Sequence, residues 1–391
     1  MPYVLGNYIA PALIKKGVVA VTVLAGTYAA IKVLPYCTPI RTKMQRAFEA
    51  GEICSTKKNK NTTVKKYPKI ESIKSSKHCL TIRYKLPLGV SPEDVLRKDW
   101  LFAQAFDRPV IQYQDKRSIV LEVFSRDLPD FYEYRYEEIA PLLDGLHVPI
   151  YAGVGLRGPI VYDMALAPNL IIAGETGAGK STQLRNILTT LLLSRTPEQL
   201  ELYLADLKMT EFNLFANCKH VQAVAYAPDQ VLQVTKYLLQ EVAARQELLF
   251  SRGVQSIYEL PVEERPPTMI FAIDEVIELK GYKNIVDDLI SLTSRGRALG
   301  LFFIFSMQRP DADVLDGKIK NNLTVRMAFR HPDQINFRIT LGEEAPEVIA
   351  QSARGRMWLR LDTLQLLQAP YLSTEYAREI LAPIFVDEEN P

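Results

Sequence analysis

Gly174-Glu175-Thr176-Gly177-Ala178-Gly179-Lys180-Ser181 follows the apolar run Leu170-Ile171-Ile172-Ala173 and precedes a helical pattern beginning near Thr182. Strand, glycine loop and helix in that order are the requirement for a P-loop. The glycines let the backbone turn tightly, so that successive N–H groups and a helix N-terminus can point at a phosphate with no side chain between. Lys180 is expected to reach the β- and γ-phosphate oxygens and Ser181 to reach Mg²⁺. The segment Gly174 to Thr182 is therefore expected to bind ATP.

A second stretch supplies what the loop lacks. Thr268-Met269-Ile270-Phe271-Ala272-Ile273 has the pattern of a buried strand and ends in Asp274-Glu275. Its carboxylates would emerge at the C-terminal edge of the sheet, where ligands bind in open α/β folds. Asp274 suits Mg²⁺, directly or through water, and Glu275 suits a general base that polarises the attacking water. A third apolar run, Leu301 to Phe305, leads to Gln308, whose amide can bond both a γ-phosphate and the lytic water.

Around these motifs, strands are expected at Leu202 to Ala205, Leu323 to Phe329 and Met357 to Leu361, alternating with helices as in parallel α/β folds. The longest helix is expected from Asp229 to Arg252, closed by Gly253. Ahead of this block, Leu80 to Leu86, a helical stretch from Pro92 to Phe106, Pro109 to Tyr113 and Ser118 to Phe124 read as a small α+β module. The expected division is 1–46 as an N-terminal anchor, 47–78 as a basic polar linker, 79–146 as the module and 147–391 as the nucleotide-binding domain.

The chain has 391 residues, 48% of them apolar, and a net charge of +2. Bulk charge therefore gives no argument for nucleic acid, and any such surface must come from local patches. Cys37, Cys54, Cys79 and Cys218, with His78, His147, His220 and His331, form no metal-ligand spacing. Gly17 to Cys37 is apolar apart from Thr22, Thr27 and Lys32, and is expected to cross a bilayer once as a helix of about 20 residues. The alternatives are a signal peptide, for which no cleavage pattern convinces, and an amphipathic or core helix. Arg41, Lys43, Arg46 and the lysines from Lys57 to Lys77 outweigh Lys15 and Lys16, which would put the C-terminal side in the cytoplasm.

Taken in order, Ala167 to Thr182, Leu204-Ala205-Asp206-Leu207-Lys208, Ile273-Asp274-Glu275, Arg297-Ala298-Leu299-Gly300, Gln308-Arg309-Pro310 and Gly317 to Phe329 resemble the FtsK/SpoIIIE family of DNA-translocating ATPases. The resemblance spans roughly residues 80 to 365. It implies a RecA-like P-loop NTPase motor domain, closing with five further copies into a hexameric ring around DNA. A neighbouring copy would then supply an arginine finger, for which Arg297 is the first candidate and Arg295 and Arg326 are lesser ones. Leu207 stands where the family usually has proline, and Arg356 where chromosomal translocases tend to have an acid.

With one expected membrane helix and no sequence-reading domain after the last strand, the chain looks most like the coupling and transfer ATPases of Gram-positive mobile elements. A relaxase or another DNA-processing protein is then the expected partner. Lys280 to Lys283, and Lys318 with Lys320, are candidate DNA-contacting loops. Two rival readings remain: a protein-secretion ATPase, and a membrane-bound NTP switch that recruits a DNA-processing protein.

Overall fold

The computed structural model describes residues 39–59, 62–308 and 317–386. The chain divides into two compact units, Met1–Asp127 and Leu128–Pro391.

In the first unit, helix α1 (Ile40–Ala50) precedes a hairpin of β1 (Ser55–Asn59) and β2 (Thr62–Lys66). Strands β3 (Lys69–Ser75), β4 (Cys79–Lys85), β5 (Val110–Asp115) and β6 (Ser118–Phe124) form an antiparallel sheet in the order β3-β4-β6-β5. Helices α2 (Pro92–Leu96) and α3 (Asp99–Phe106) lie between β4 and β5. Ile82 and Tyr84 of β4 point inward with Ile119, Leu121 and Val123 of β6, against Met44, Ala47 and Phe48 of α1 and Phe102 of α3. The rings of Phe48 and Tyr84 lie 5.2 Å apart. This corrects the expected linker at 47–78, which holds the end of α1, the hairpin and a strand of the sheet. Lysines conceal these strands in the sequence, because a hairpin or edge strand can turn its charged side chains to water and still pair through its backbone.

The membrane span expected at about 17–37 lies outside the described residues. Among the described residues no helix is long and apolar enough to cross a membrane. The single-pass placement is corrected accordingly: the 25-residue helix at Pro228–Arg252 carries charges along its length and packs on a sheet.

The second unit is built on a ten-stranded sheet. Its strands are β7 (Pro149–Gly155), β8 (Gly158–Asp163), β9 (Leu170–Ala173), β10 (Leu200–Asp206), β11 (Val221–Ala225), β12 (Thr268–Asp274), β13 (Leu301–Met307), β14 (Val325–Phe329), β15 (Arg356–Arg360) and β16 (Leu364–Gln368). Its helices are α4 (Tyr136–Ile139), α5 (Lys180–Ser194), α6 (Pro228–Arg252), α7 (Lys283–Arg295), α8 (Gly317–Asn322), α9 (Gln334–Leu341) and α10 (Thr374–Leu381). The order is β11-β10-β12-β13-β9-β14-β15-β16-β7-β8, parallel from β11 to β14 and antiparallel from there on. The sheet is therefore mixed, where the alternation of elements suggested a parallel one.

Every residue of β12 and of β13 is buried, because helices cover both faces. Ile270, Ala272, Phe302 and Ile304 meet Leu184, Ile187 and Leu191 of α5 on one side. Phe271, Ile273, Phe303 and Phe305 meet Val231, Leu238 and Val242 of α6 and Leu289 and Leu292 of α7 on the other. Residues 128–146, expected to end the small module, pack here instead. The Tyr134 hydroxyl lies 3.0 Å from Thr190 Oγ1 of α5, and its N–H donates to the Tyr371 carbonyl at 3.0 Å.

Candidate nucleotide site

Four neighbouring parallel strands, β10, β12, β13 and β9, end at one edge of the sheet and deliver the polar groups of the site. After β9 the chain turns through Gly174 to Gly179 and enters α5 at Lys180. Gly179 has φ +119°, and a Cβ on it would lie 3.0 Å from the Gly355 Cα, so both conformation and space demand glycine. The loop is fixed on both flanks. Gly174 N–H donates to Met307 O (3.3 Å), Glu175 N–H donates to Arg330 O (3.0 Å), and Gly355 N–H donates to Ala178 O (2.9 Å). The Glu175 carboxylate also pairs with Arg330 at 2.6 Å. Thr176 sits at the tip, and Thr182 lies half-buried in the first turn of α5.

Lys180, only 6% exposed, places Nζ 3.1 Å from Asp274 Oδ1 and 2.8 Å from Ser306 Oγ. Ser306 donates in turn to Asp274 Oδ1 at 2.8 Å. A lysine, a carboxylate and a hydroxyl from three different segments thus close a triangle at the foot of the loop. A buried charge is tolerable when paired and hydrogen-bonded in this way.

Glu275, next along the chain, is 3% exposed and has φ 55°, a left-handed conformation that costs a non-glycine residue about 1 kcal/mol or more. That turn swings its carboxylate towards β13. The Gln308 N–H donates to Oε1 at 3.1 Å, and Lys208 Nζ stands 3.2 Å from Oε2. Gln308 Oε1 accepts from the Thr176 hydroxyl at 3.3 Å, so the glutamine joins the loop tip to the strand carrying it. Gly174 to Thr182, Asp274, Glu275 and Gln308 are all gathered at this edge.

Two contributors escaped the sequence reading. Ser306 appeared only as part of the run into Gln308. Glu211 carried no signal, because a turn after β10 brings it in. Asp206, fully buried, accepts from the N–H groups of Thr210 (3.1 Å), Glu211 (2.8 Å) and Phe212 (2.9 Å) and so folds that turn back. Glu211 there comes near Ser181. Burial raises its carboxyl above the usual range, with Asp274 adding to the rise and Ser181, Lys180 and Arg185 opposing it. Ser181, Asp274 and Glu211 present the hard oxygen donors that Mg²⁺ takes. Among the described residues no His, Cys, Asp or Glu group is placed to hold a metal unaided. Phosphate oxygens and water would therefore complete the coordination, as is usual for Mg²⁺.

The arginine candidates are elsewhere. Arg297 follows α7 and precedes β13, so it lies at the opposite edge of the sheet, with Nε donating to Ala165 O at 3.2 Å. Arg295 is exposed beside it and bonds Ser291 of its own helix. Arg326 spends its nitrogens on the carbonyls of Leu323 (3.2 Å), Thr340 (3.4 Å) and Lys320 (3.0 Å), which is structural work at helix ends. None of the three reaches the nucleotide edge of its own chain.

Lys280 to Lys283 form the exposed turn into α7 on the nucleotide edge. Lys320 belongs to α8, near the other end of α7, where Asn322 bonds Thr293. Burial lowers the Lys320 ammonium from its usual value, and Arg326 and Arg360 lower it further. The two basic candidates thus stand about 20 Å apart, the length of α7.

With this geometry in view, comparison with known proteins gives a consistent result. Residues 146–265 match the FtsK/SpoIIIE family. The DNA translocase FtsK of Treponema pallidum is 30% identical over 265 residues, covering 62% of this chain and 33% of that protein. The DNA translocase FtsK of Helicobacter pylori is 30% identical over 245 residues, covering 59% of this chain and 29% of that protein. The chain thus spans about a third of the length of the curated relatives it matches. Among solved structures, the monomer form of the pCW3 conjugation coupling protein TcpA with ATPγS superposes with a TM-score of 0.60 at 24% identity, over 88% of this chain and 98% of that one. ATPases 2 and 3 of EssC from Geobacillus thermodenitrificans give 0.59 at 20% identity, over 68% of this chain and 53% of that one. At such identities the superpositions establish the shared fold alone.

Proposed function

We propose, on the premise that the chain carries an FtsK/SpoIIIE family domain, that it is an ATP-driven motor that moves DNA, working as a ring of six copies in the transfer of a mobile element. The observation that carries this reading is the meeting of Lys180, Asp274, Glu275 and Gln308 at one sheet edge, with Gln308 bonded to both the glycine loop and the Glu275 carboxylate. Such a link lets the state of the nucleotide be felt by β13.

In the cycle, the N–H groups of the loop cradle the phosphates, and Lys180 exchanges Asp274 for their oxygens. Mg²⁺, when bound through Ser181 and Asp274, offsets charge on the β- and γ-phosphates. Glu275 takes the proton of the attacking water, whose oxygen bonds the γ-phosphorus as the bond to the β–γ bridging oxygen breaks. Gln308 orients that water.

Arg297 lies about 20 Å from Gln308, the length of β13, so it acts only in a ring whose copies bring the opposite edge of one to the nucleotide edge of the next. DNA is held by its phosphates, through Lys280 and Lys283 or through Lys318 with Lys320. A relaxase or another DNA-processing protein delivers the cargo.

The test is ATP turnover by the full chain with single-stranded DNA, duplex DNA and no DNA. Stimulation by DNA that falls steeply with salt is expected. Stimulation only by a polypeptide would turn the assignment to protein secretion, and no stimulation at all would leave a nucleotide switch.

A further inference from the structure

We propose that Lys208 restrains Glu275: its ammonium occupies the carboxylate oxygen on which the lytic water must bond, and hydrolysis waits on its withdrawal. This rests on the reading of Glu275 as the base.

The restraint is visible in the way the carboxylate is used. Oε1 is committed to the Gln308 N–H at 3.1 Å. Oε2 is buried and accepts no hydrogen bond of good geometry, yet the Lys208 ammonium stands over it at 3.2 Å. Oε2 is therefore held by charge rather than by a directed bond. A water that donates to Oε2 must share that oxygen with the ammonium, whose charge makes it a weaker proton acceptor. When Lys208 withdraws, the water donates to Oε2, its proton passes to Glu275, and its oxygen bonds the γ-phosphorus as the β–γ bridge breaks.

Lys208 is free to withdraw. Its side chain is 37% exposed, against 3% for the carboxylate it covers. A second acceptor, Glu278, lies at 3.9 Å and is itself 52% exposed, so the ammonium already leans between an inner and an outer carboxylate. Its backbone neighbour Met209 is 68% exposed and has φ 55°. The turn carrying both is tied down at one end by Asp206 and at the other by buried Phe212. A polyanion or a neighbouring carboxylate passing over this turn would draw the lysine outward. The same turn brings Glu211 near Ser181, so one short segment lies beside both the base and the metal side of the site.

The experiment measures unstimulated ATP turnover of the full chain as wild type, Lys208→Met, Lys208→Arg, Glu278→Gln, Glu275→Gln and Lys208→Met with Glu275→Gln, together with ATPγS affinity. Lys208→Met is expected to raise unstimulated turnover roughly threefold or more, as befits freeing a general base. Lys208→Arg should stay near wild type. The double variant should fall to the level of Glu275→Gln, and ATPγS affinity should hold throughout. Glu278→Gln, at an exposed site, leaves Lys208 wholly to Glu275 and should lower turnover about twofold.

An unchanged or lowered rate in Lys208→Met with affinity intact overturns the proposal. An unchanged or raised rate in Glu278→Gln also overturns it, and that arm decides the matter should Lys208→Met not fold. Wild-type turnover in Glu275→Gln alone is a separate failure, that of the base assignment.

Discussion

The N-terminal edge of the parallel strands spends its buried polar side chains on backbone, whereas the C-terminal edge, apart from Asp206, pairs lysines with carboxylates. At the N-terminal edge, Asp163 accepts from the N–H groups of His147, Val148 and Ala165, each at 2.9 Å. Asn169 accepts from the Phe303 N–H at 3.0 Å and donates to Asn322 O at 3.0 Å and Thr293 O at 3.4 Å. These side chains are spent on backbone, and no further partner is invited. At the C-terminal edge, Lys180 rests on Asp274 and Lys208 on Glu275, cation against carboxylate. Each such pair can be opened by a more highly charged visitor. The difference separates polar groups committed to holding the fold from polar groups left open to a charged ligand.

The widest gap should appear with Glu275→Gln, which keeps ATPγS affinity and the melting temperature but lowers turnover about a hundred- to ten-thousandfold. Steady-state turnover beside a nucleotide-binding titration checks this. A variant that lost affinity and activity together would erase the contrast between the edges. Asp163→Ala is the converse change. Three N–H groups lose their acceptor, and the stability loss should be about 3 kcal/mol or more with ATPγS affinity preserved, as read by denaturant titration.

The smallest effect concerns His331, buried just beyond the C-terminal end of β14. Burial pushes its imidazole down to about 4, and Asp333 opposes this weakly. Because the unfolded chain takes that proton near 6.5, the stabilisation is whole above that pH. It is lost as pH falls from about 6.5 towards 4. His331→Gln should flatten that acid limb, seen as a smaller drop in melting temperature between neutral and acid buffers.

The parts of this molecule readable from sequence are those where chemistry is local. The glycine loop, β12 with its two carboxylates, and β13 with Gln308 each lie on a contiguous run of residues, and buried parallel strands announce themselves by unbroken apolarity. The β7–β8 hairpin was missed because Gly153, Gly155 and Gly158 interrupt it, and β3 because lysines bracket Ile70 and Ile73. Glu211 and the task of Lys208 depend on a turn whose shape is set by Asp206 accepting from backbone groups four to six residues ahead. No periodicity encodes such a turn. The edge that Arg297 occupies was not legible either: its motif gives its order along the chain, whereas the direction of β13 decides that it lies at the opposite edge.

The glycine loop is also stitched sideways. Through Met307 it hangs from β13, through Arg330 from the chain leaving β14, and through Gly355 from the segment that opens the antiparallel half. A phosphate that drew the loop in by a fraction of an ångström would therefore tug on all three at once, since close-packed interiors pass strain on and do not absorb it. The far half of the sheet thereby becomes a lever arm for the half that carries the glycine loop.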